Sequence, residues 1–309
     1  MMETDTKCSC DSAKDSDCSC GTEPASNCGC ETDKKDSKTG IEKLAVNEFS
    51  SVKNVIAVMS GKGGVGKSSV ASLLACGFRR KGFEVGILDA DITGPSVPRM
   101  FGIKGKSEGT QFGILPAESK TGIKVMSINL LLPKEEDPVI WRGPILSGVV
   151  KQFFTDVVWT DLEYLFVDLP PGTGDVPLTV MQSLPLNGLI VVTSPQELAV
   201  MIVNKAVKMA KQLNIPLLGL IENMSSVICP KCGEDFQLFG RSRGKEIAEQ
   251  FSVPFLGKMP IDPNLATLCD TGNIEDYESN LFTDLPDKLL RHTVHPACSH
   301  NDLKRIWLE

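Results

Sequence analysis

The stretch Asn54-Val55-Ile56-Ala57-Val58-Met59-Ser60-Gly61-Lys62-Gly63-Gly64-Val65-Gly66-Lys67-Ser68-Ser69 decides the fold. A β-branched apolar run enters a glycine-rich turn, and a helix-period pattern follows at once. Residues 61–68 fit G-x-x-x-x-G-K-[ST]. In that context the glycines let the backbone wrap a phosphate, so that successive N–H groups and a helix N-terminus point at its oxygens. Lys67 adds a positive charge, and the Ser68 hydroxyl is placed to ligate Mg2+. Gly61, Lys62, Gly63, Gly64, Val65, Gly66, Lys67, Ser68 and Ser69 are therefore the candidate nucleotide contacts.

Beyond this turn, short β-branched runs alternate with helix-period stretches, the pattern of a parallel sheet with crossover helices. The expected strands are 54–59, 84–88, 123–128, 164–167, 188–192, 216–221 and 255–256. Most are continuous apolar runs, which suits strands covered on both faces. Residues 199–212 read as a covering helix, with Val200, Val203, Val207 and Ala210 toward the sheet and Lys205, Lys208 and Lys211 away from it. Residues 102–122 and 262–282, taken together rich in Gly, Asp, Asn and Ser, read as surface excursions. The expectation is an α/β fold, a mostly parallel β-sheet flanked by helices, over residues 49–285, with a cysteine-rich tail at 1–48 and a second tail at 286–309.

The chain has 309 residues and a net charge of -7, so it lacks the positive field that phosphate-backbone binding exploits. No nucleic acid partner is expected. No run approaches the ~20 apolar residues of a membrane span, and residues 1–20 lack the apolar core of a secretory signal. The expected location is the cytoplasm, with no membrane partner. Residues 1–40 carry nine acids and five lysines. They cannot offset their ordering entropy by burial, so a flexible tail is expected unless metal folds it.

The turn holds a second lysine near its start, giving G-K-G-G-V-G-K-S. In this it resembles the deviant Walker A ATPases, the P-loop NTPase class that includes MinD and ParA partition proteins, nitrogenase reductase and Mrp-type iron-sulfur carriers. The resemblance implies that Lys62 reaches the nucleotide of a second subunit in a sandwich dimer. Two acidic sites lie where strands end, which is where open α/β sheets bind ligands: Asp89-Ala90-Asp91-Ile92-Thr93-Gly94-Pro95-Ser96 and Asp168-Leu169-Pro170-Pro171-Gly172-Thr173-Gly174-Asp175. By the same resemblance Asp91 orients the attacking water, Asp89 and Asp168 support magnesium, and Asp175 with Gly172–Gly174 senses the γ-phosphate. Lys62, Lys67, Asp91 and Asp168 are the candidate catalytic residues. No guanine signature follows the later strands. Asn223 stands where its amide can meet adenine, a simple turn residue being the alternative, so ATP is the expected nucleotide.

Past the sixth expected strand comes Glu222-Asn223-Met224-Ser225-Ser226-Val227-Ile228-Cys229-Pro230-Lys231-Cys232-Gly233. A 4Fe-4S cluster usually takes four thiolates, and Cys229 and Cys232 supply two. Two copies meeting there would supply all four; the spacing alone equally allows zinc or a redox dithiol. Taken with Asp-Ala-Asp-Ile-Thr-Gly-Pro-Ser, Trp141-Arg142-Gly143-Pro144 and Asp-Leu-Pro-Pro-Gly-Thr-Gly-Asp, the sequence over about 50–265 is similar to the Mrp-type iron-sulfur cluster carrier ATPases. The resemblance implies a homodimer that uses ATP and Mg2+, holds a labile 4Fe-4S cluster at its interface and passes it to apoproteins.

The tail departs from that pattern. Cys8, Cys10, Cys18, Cys20, Cys28 and Cys30 form three Cys-x-Cys pairs spaced ten apart, a metal-binding expectation of open identity. Cys76 reads as a small core residue, and Cys269 as part of a polar loop. A MinD-like partition ATPase would need a basic amphipathic C-terminal anchor, which residues 287–309, with Pro296 and scattered acids, do not resemble. A nitrogenase-reductase-like electron donor would place its cysteines differently.

Overall fold

The protein is described from a computed structural model over residues 43–92, 94–132, 143–196, 199–229 and 231–293. The cysteines of residues 1–40, Trp141, Arg142, Pro230 and residues 294–309 lie outside the described residues.

Strand β1 (Ser51–Ser60) runs through the phosphate-binding turn into helix α1 (Lys67–Arg80). There follow β2 (Val85–Asp89), α2 (Val97–Met100), the short strands β3 (Gly109–Thr110), β4 (Gly113–Ile114) and β5 (Ala117–Glu118), and β6 (Lys124–Met126). Helix α3 (Gly143–Thr155), β7 (Asp161–Asp168), α4 (Asp175–Ser183), β8 (Gly188–Thr193) and α5 (Ala199–Gln212) form the centre of the chain. The last third holds β9 (Leu217–Ile228), β10 (Asp235–Phe236), α6 (Gly244–Gln250), β11 (Phe255–Ile261), α7 (Pro263–Thr271) and α8 (Asn280–Thr293).

Among the described residues the main sheet runs β10-β9-β8-β1-β7-β2-β6-β5, with β11 on β9. Its pairs are parallel except β9–β10 and β5–β6. Continuous burial along β2, β8 and the second half of β1 reflects cover on both faces. Val55, Ala57 and Met59 point into one core, whereas Ile56 and Val58 point into the other, the two-residue alternation of a strand. In α5, Val203, Val207 and Ala210 are buried as expected, joined by Ala206, while Val200 is only half-buried at the edge of the core.

The order β8-β1-β7 makes β1 the point from which connections leave in both directions, so a crevice opens beyond its C-terminal end. Register fixes what lines it: Val58 pairs with Asp168, and Asp89 pairs with Asp168. Two carboxylates distant in sequence thus stand side by side below the glycine-rich turn.

Three expectations need correction. The 262–282 excursion contains α7, begun by Asp262, whose carboxylate accepts the Asn264 N–H at 2.8 Å, and ended by left-handed Gly272. Cys269 is therefore a half-buried helix residue. The boundary expected after residue 285 falls inside α8, which continues because Leu285 and Leu289 are fully buried against α1 and the sheet. Cys76 is buried, as expected.

Candidate functional site

The turn meets α1 at Gly66, which has φ 74°, a left-handed conformation natural to glycine. A Cβ there would stand 2.3 Å from Asn223 Nδ2, so glycine is required by space as well. The first turn of α1 carries no acidic residue, while Arg79 and Arg80 close its last turn. The positive end of the helix dipole is left for an anion.

Lys67 Nζ lies 2.6 Å from Asp168 Oδ1, with side-chain exposures of 6% and 0%. It also lies 3.4 Å from Ser68 Oγ. The other Asp168 oxygen is buried with no hydrogen-bond partner. Burial pushes the Asp168 carboxyl up from the ordinary range, opposed by the Lys67 ammonium. Asp89 is pushed up to about 7 by burial first and by the Asp168 charge second, with Lys67 pulling it down. Its carboxylate accepts N–H bonds from Asp91 at 3.2 Å, Ser96 at 3.2 Å and Val97 at 3.3 Å, and the Ser127 hydroxyl donates at 3.2 Å. Asp89 therefore shapes the loop that carries Asp91, and Ser127 is a participant that its own sequence context did not mark.

Crowded buried carboxylates with an unused oxygen, beside a serine hydroxyl, fit a hard cation. Among the described residues no three His, Cys, Asp or Glu groups form a self-sufficient metal site. Magnesium usually takes one or two protein groups, the rest coming from substrate phosphates and water, so this lining is compatible with it.

Lys62 is exposed, and its Nζ donates to Gln196 Oε1 at 3.0 Å within the same chain. Asn223 is buried on β9; its Nδ2 donates to the Val65 carbonyl at 2.9 Å, and its Oδ1 accepts the Met224 N–H at 2.8 Å. The structure thus brings Asn223 against the phosphate-binding turn. Asp175 starts α4, and Gly172 donates its N–H to the Ser60 carbonyl at 2.8 Å, tying that segment to the same strand end.

Strand β9 is twice the expected length, reaching Ile228, and delivers Cys229. The Cys229 N–H donates to the Glu234 carbonyl, and the Gly233 N–H donates to the Cys229 carbonyl, each at 2.9 Å. With left-handed Gly233, these bonds fold the cysteine pair into a tight knuckle. The N–H groups of Cys232 and then Lys231 hold the Cys229 thiol below its ordinary range. Cys232 is exposed, and around the pair Ile228, Phe236, Leu238 and Phe239 are exposed too.

Residues 51–290 match the family described as ParA: NUBPL iron-transfer P-loop NTPase. The chain belongs to that family. The iron-sulfur cluster carrier protein of Clostridium perfringens is 46% identical to this NUBPL-type P-loop NTPase, covering 76% of this chain and 85% of that protein. The cytosolic Fe-S cluster assembly factor Nubp2 homolog of Drosophila virilis is 43% identical, covering 81% and 94%. A solved structure of a nucleotide-binding protein from Archaeoglobus fulgidus, in complex with ADP, aligns with a TM-score of 0.69 at 45% identity, covering 76% of this chain and 93% of that one.

Proposed function

We propose that this NUBPL-type P-loop NTPase assembles a 4Fe-4S cluster on Cys229 and Cys232, holds it between two copies of the chain and passes it to apoproteins, with ATP as the gate. The observation that carries the reading is the exposed knuckle: two accessible thiols, one activated, at the tip of a strand whose inner part touches the phosphate-binding turn. Two thiolates fall short of the usual four, so the second pair comes from a second copy. The exposed Ile228, Phe236, Leu238 and Phe239 supply an apolar rim for that contact.

At the other end, the N–H groups of residues 61–69 cradle the phosphates and Lys67 balances their charge. Ser68, with Asp89 and Asp168 behind it, holds Mg2+, which when bound neutralises developing phosphate charge. Asp91 orients the hydrolytic water, Lys62 leaves Gln196 to reach the partner's nucleotide, and Asn223 lies beside the base. Slow hydrolysis suits a switch that waits for a recipient. The cytosolic relative supports a cytoplasmic location. Among the described residues no helix is long and apolar enough to cross a membrane.

Anaerobic reconstitution with iron and sulfide tests this. The intact chain should take up a cluster and transfer it to an apoprotein, and Cys229→Ala/Cys232→Ala should bind nucleotide but transfer none. Full transfer by the double variant refutes the reading.

A further inference from the structure

Three adjacent residues of β9 touch different parts of the molecule. Asn223 donates to the Val65 carbonyl. Met224 has φ 58°, a left-handed conformation rare for a non-glycine residue, and its methyl group lies 3.7 Å from where a Gly66 Cβ would stand. Glu222, 1% exposed, accepts the Arg243 N–H at 3.0 Å and the Gly244 N–H at 2.8 Å, and the Ser242 hydroxyl donates to its other oxygen. Glu222 thus fastens the returning end of the excursion that carries Cys229 and Cys232.

We propose that Glu222, Asn223 and Met224 are the positioning residues through which nucleotide in the phosphate-binding turn changes the exposure and reactivity of the Cys229–Cys232 pair. This deepens the carrier reading and rests on it for its biological meaning.

The coupling begins with one peptide bond. The Val65 carbonyl that Asn223 holds and the Gly66 N–H in the phosphate cradle belong to the same planar unit, so turning the N–H onto a phosphate oxygen turns the carbonyl with it. Asn223 must follow or lose its bond. Its neighbour Met224 already sits in an uncommon backbone state, and such residues mark segments held by their surroundings rather than by local preference. The sheet loosens at the same place: Asn223 pairs with Met259 and Val227 with Ile261, so β9 spends four residues where β11 spends two. From Asn223 to Cys229 is six residues, about 20 Å of extended chain. A displacement at the inner end is carried along β9, while Glu222 fixes the opposite flank. A path of contacts becomes coupling only if both sites bias one element. Here that element is the bulged β9 segment.

The test uses the full chain without cluster and follows alkylation of Cys229 and Cys232 by iodoacetamide, read by mass spectrometry. It compares nucleotide-free protein, Mg-ADP and a non-hydrolysable Mg-ATP analogue. Nucleotide should change the alkylation rate of the pair by about fivefold or more, the lower end of ordinary coupling between sites. Met224→Gly and Glu222→Ala should reduce the change to below about twofold while a fluorescent ADP analogue still saturates both. Glu222→Gln keeps an acceptor for the two N–H groups and should retain the response. The proposal is overturned if the wild-type chain shows no response, or if Met224→Gly responds as the wild type does. Because no cluster is present, a response in a chain that never loads iron leaves this link standing and removes the carrier reading. Cluster transfer with unresponsive thiols does the reverse.

Discussion

Replacing Asp168 by Asn removes the counter-charge from a buried ammonium. The pair is 2.6 Å apart and almost wholly shielded from solvent, so screening does little to soften the loss. Breaking a buried pair by removing one partner costs about 3–5 kcal/mol. Asn keeps the volume and one acceptor, which places Asp168→Asn near the lower end, about 3 kcal/mol. For a domain of this size that is a fall of about 6–12 °C in midpoint. Lys67→Met is the informative comparison. It strands Asp168 beside Asp89, and burial already raises both carboxyls. Asp168 would then bind a proton in the folded state while remaining ionised in the unfolded chain. The native state would hold the extra proton, so Lys67→Met should regain stability as pH falls toward 6 and lose it as pH rises. Asp168→Asn removes the second carboxylate and leaves Lys67 beside Asp89, so its recovery at low pH should be weaker. Urea unfolding of the nucleotide-free chain at pH 6 and pH 8 reads both variants. A loss below about 1 kcal/mol for Asp168→Asn would place the pair in the range of exposed ion pairs and rule out a buried, unscreened Lys67–Asp168 contact.

Gly66→Ala should abolish nucleotide binding, measured by calorimetry, because its Cβ would meet Asn223 at 2.3 Å in a backbone conformation that disfavours a side chain. Cys229 should be alkylated at lower pH than free cysteine, because backbone N–H groups favour its thiolate. Cys76, buried and pushed up to about 12, should remain unmodified until the chain unfolds. Leu289→Ala should cost about 2–5 kcal/mol by urea titration; a loss under ~0.5 kcal/mol would return α8 beyond residue 285 to the status of a tail.

What the sequence disclosed followed from short-range rules. The glycine turn, the doubly covered strands and the aspartates at strand ends each carry a local pattern, and the parallel register then sets Asp89 beside Asp168. The longer β9 was hidden because Glu222, Asn223, Ser225 and Ser226 are polar yet buried. Their partners lie far along the chain: Arg243 and Gly244 for Glu222, Val65 for Asn223, and the Met259 carbonyl for Ser225. Helix α8 was hidden by Pro286, which reads as a terminator because it lacks an N–H. The helix survives it by close packing: at Gly77 of α1 an added Cβ would stand 2.3 Å from the Phe282 carbonyl and 3.6 Å from Pro286 Cγ. The absence of a side chain at Gly77 is what lets the interrupted helix dock. The segment at α7 did carry Asp262, Pro263 and Gly272 as start and stop signals, outweighed by its polar composition.

The proposed function asks opposite things of the nucleotide site and the cysteine knuckle. Phosphoryl transfer depends on fixed charges held away from water, and Lys67, Asp89 and Asp168 are buried accordingly. Handing over a metal cluster requires thiolates that an incoming protein can replace one by one, and Cys232 stands on the surface. In the proposed dimer the Cys229–Cys232 pair of either chain is too few thiolates to keep the cluster alone. Opening the seam therefore takes the ligand count from four to two in a single step, and affinity falls steeply without any bond being strained inside one subunit. A chain carrying all four ligands would need its nucleotide site to pull iron–sulfur bonds apart directly. Sharing the ligands lets thiolates of the recipient replace the two iron–thiolate bonds that are lost as the surfaces part, so that a coupling of a few kcal/mol need only bias that separation.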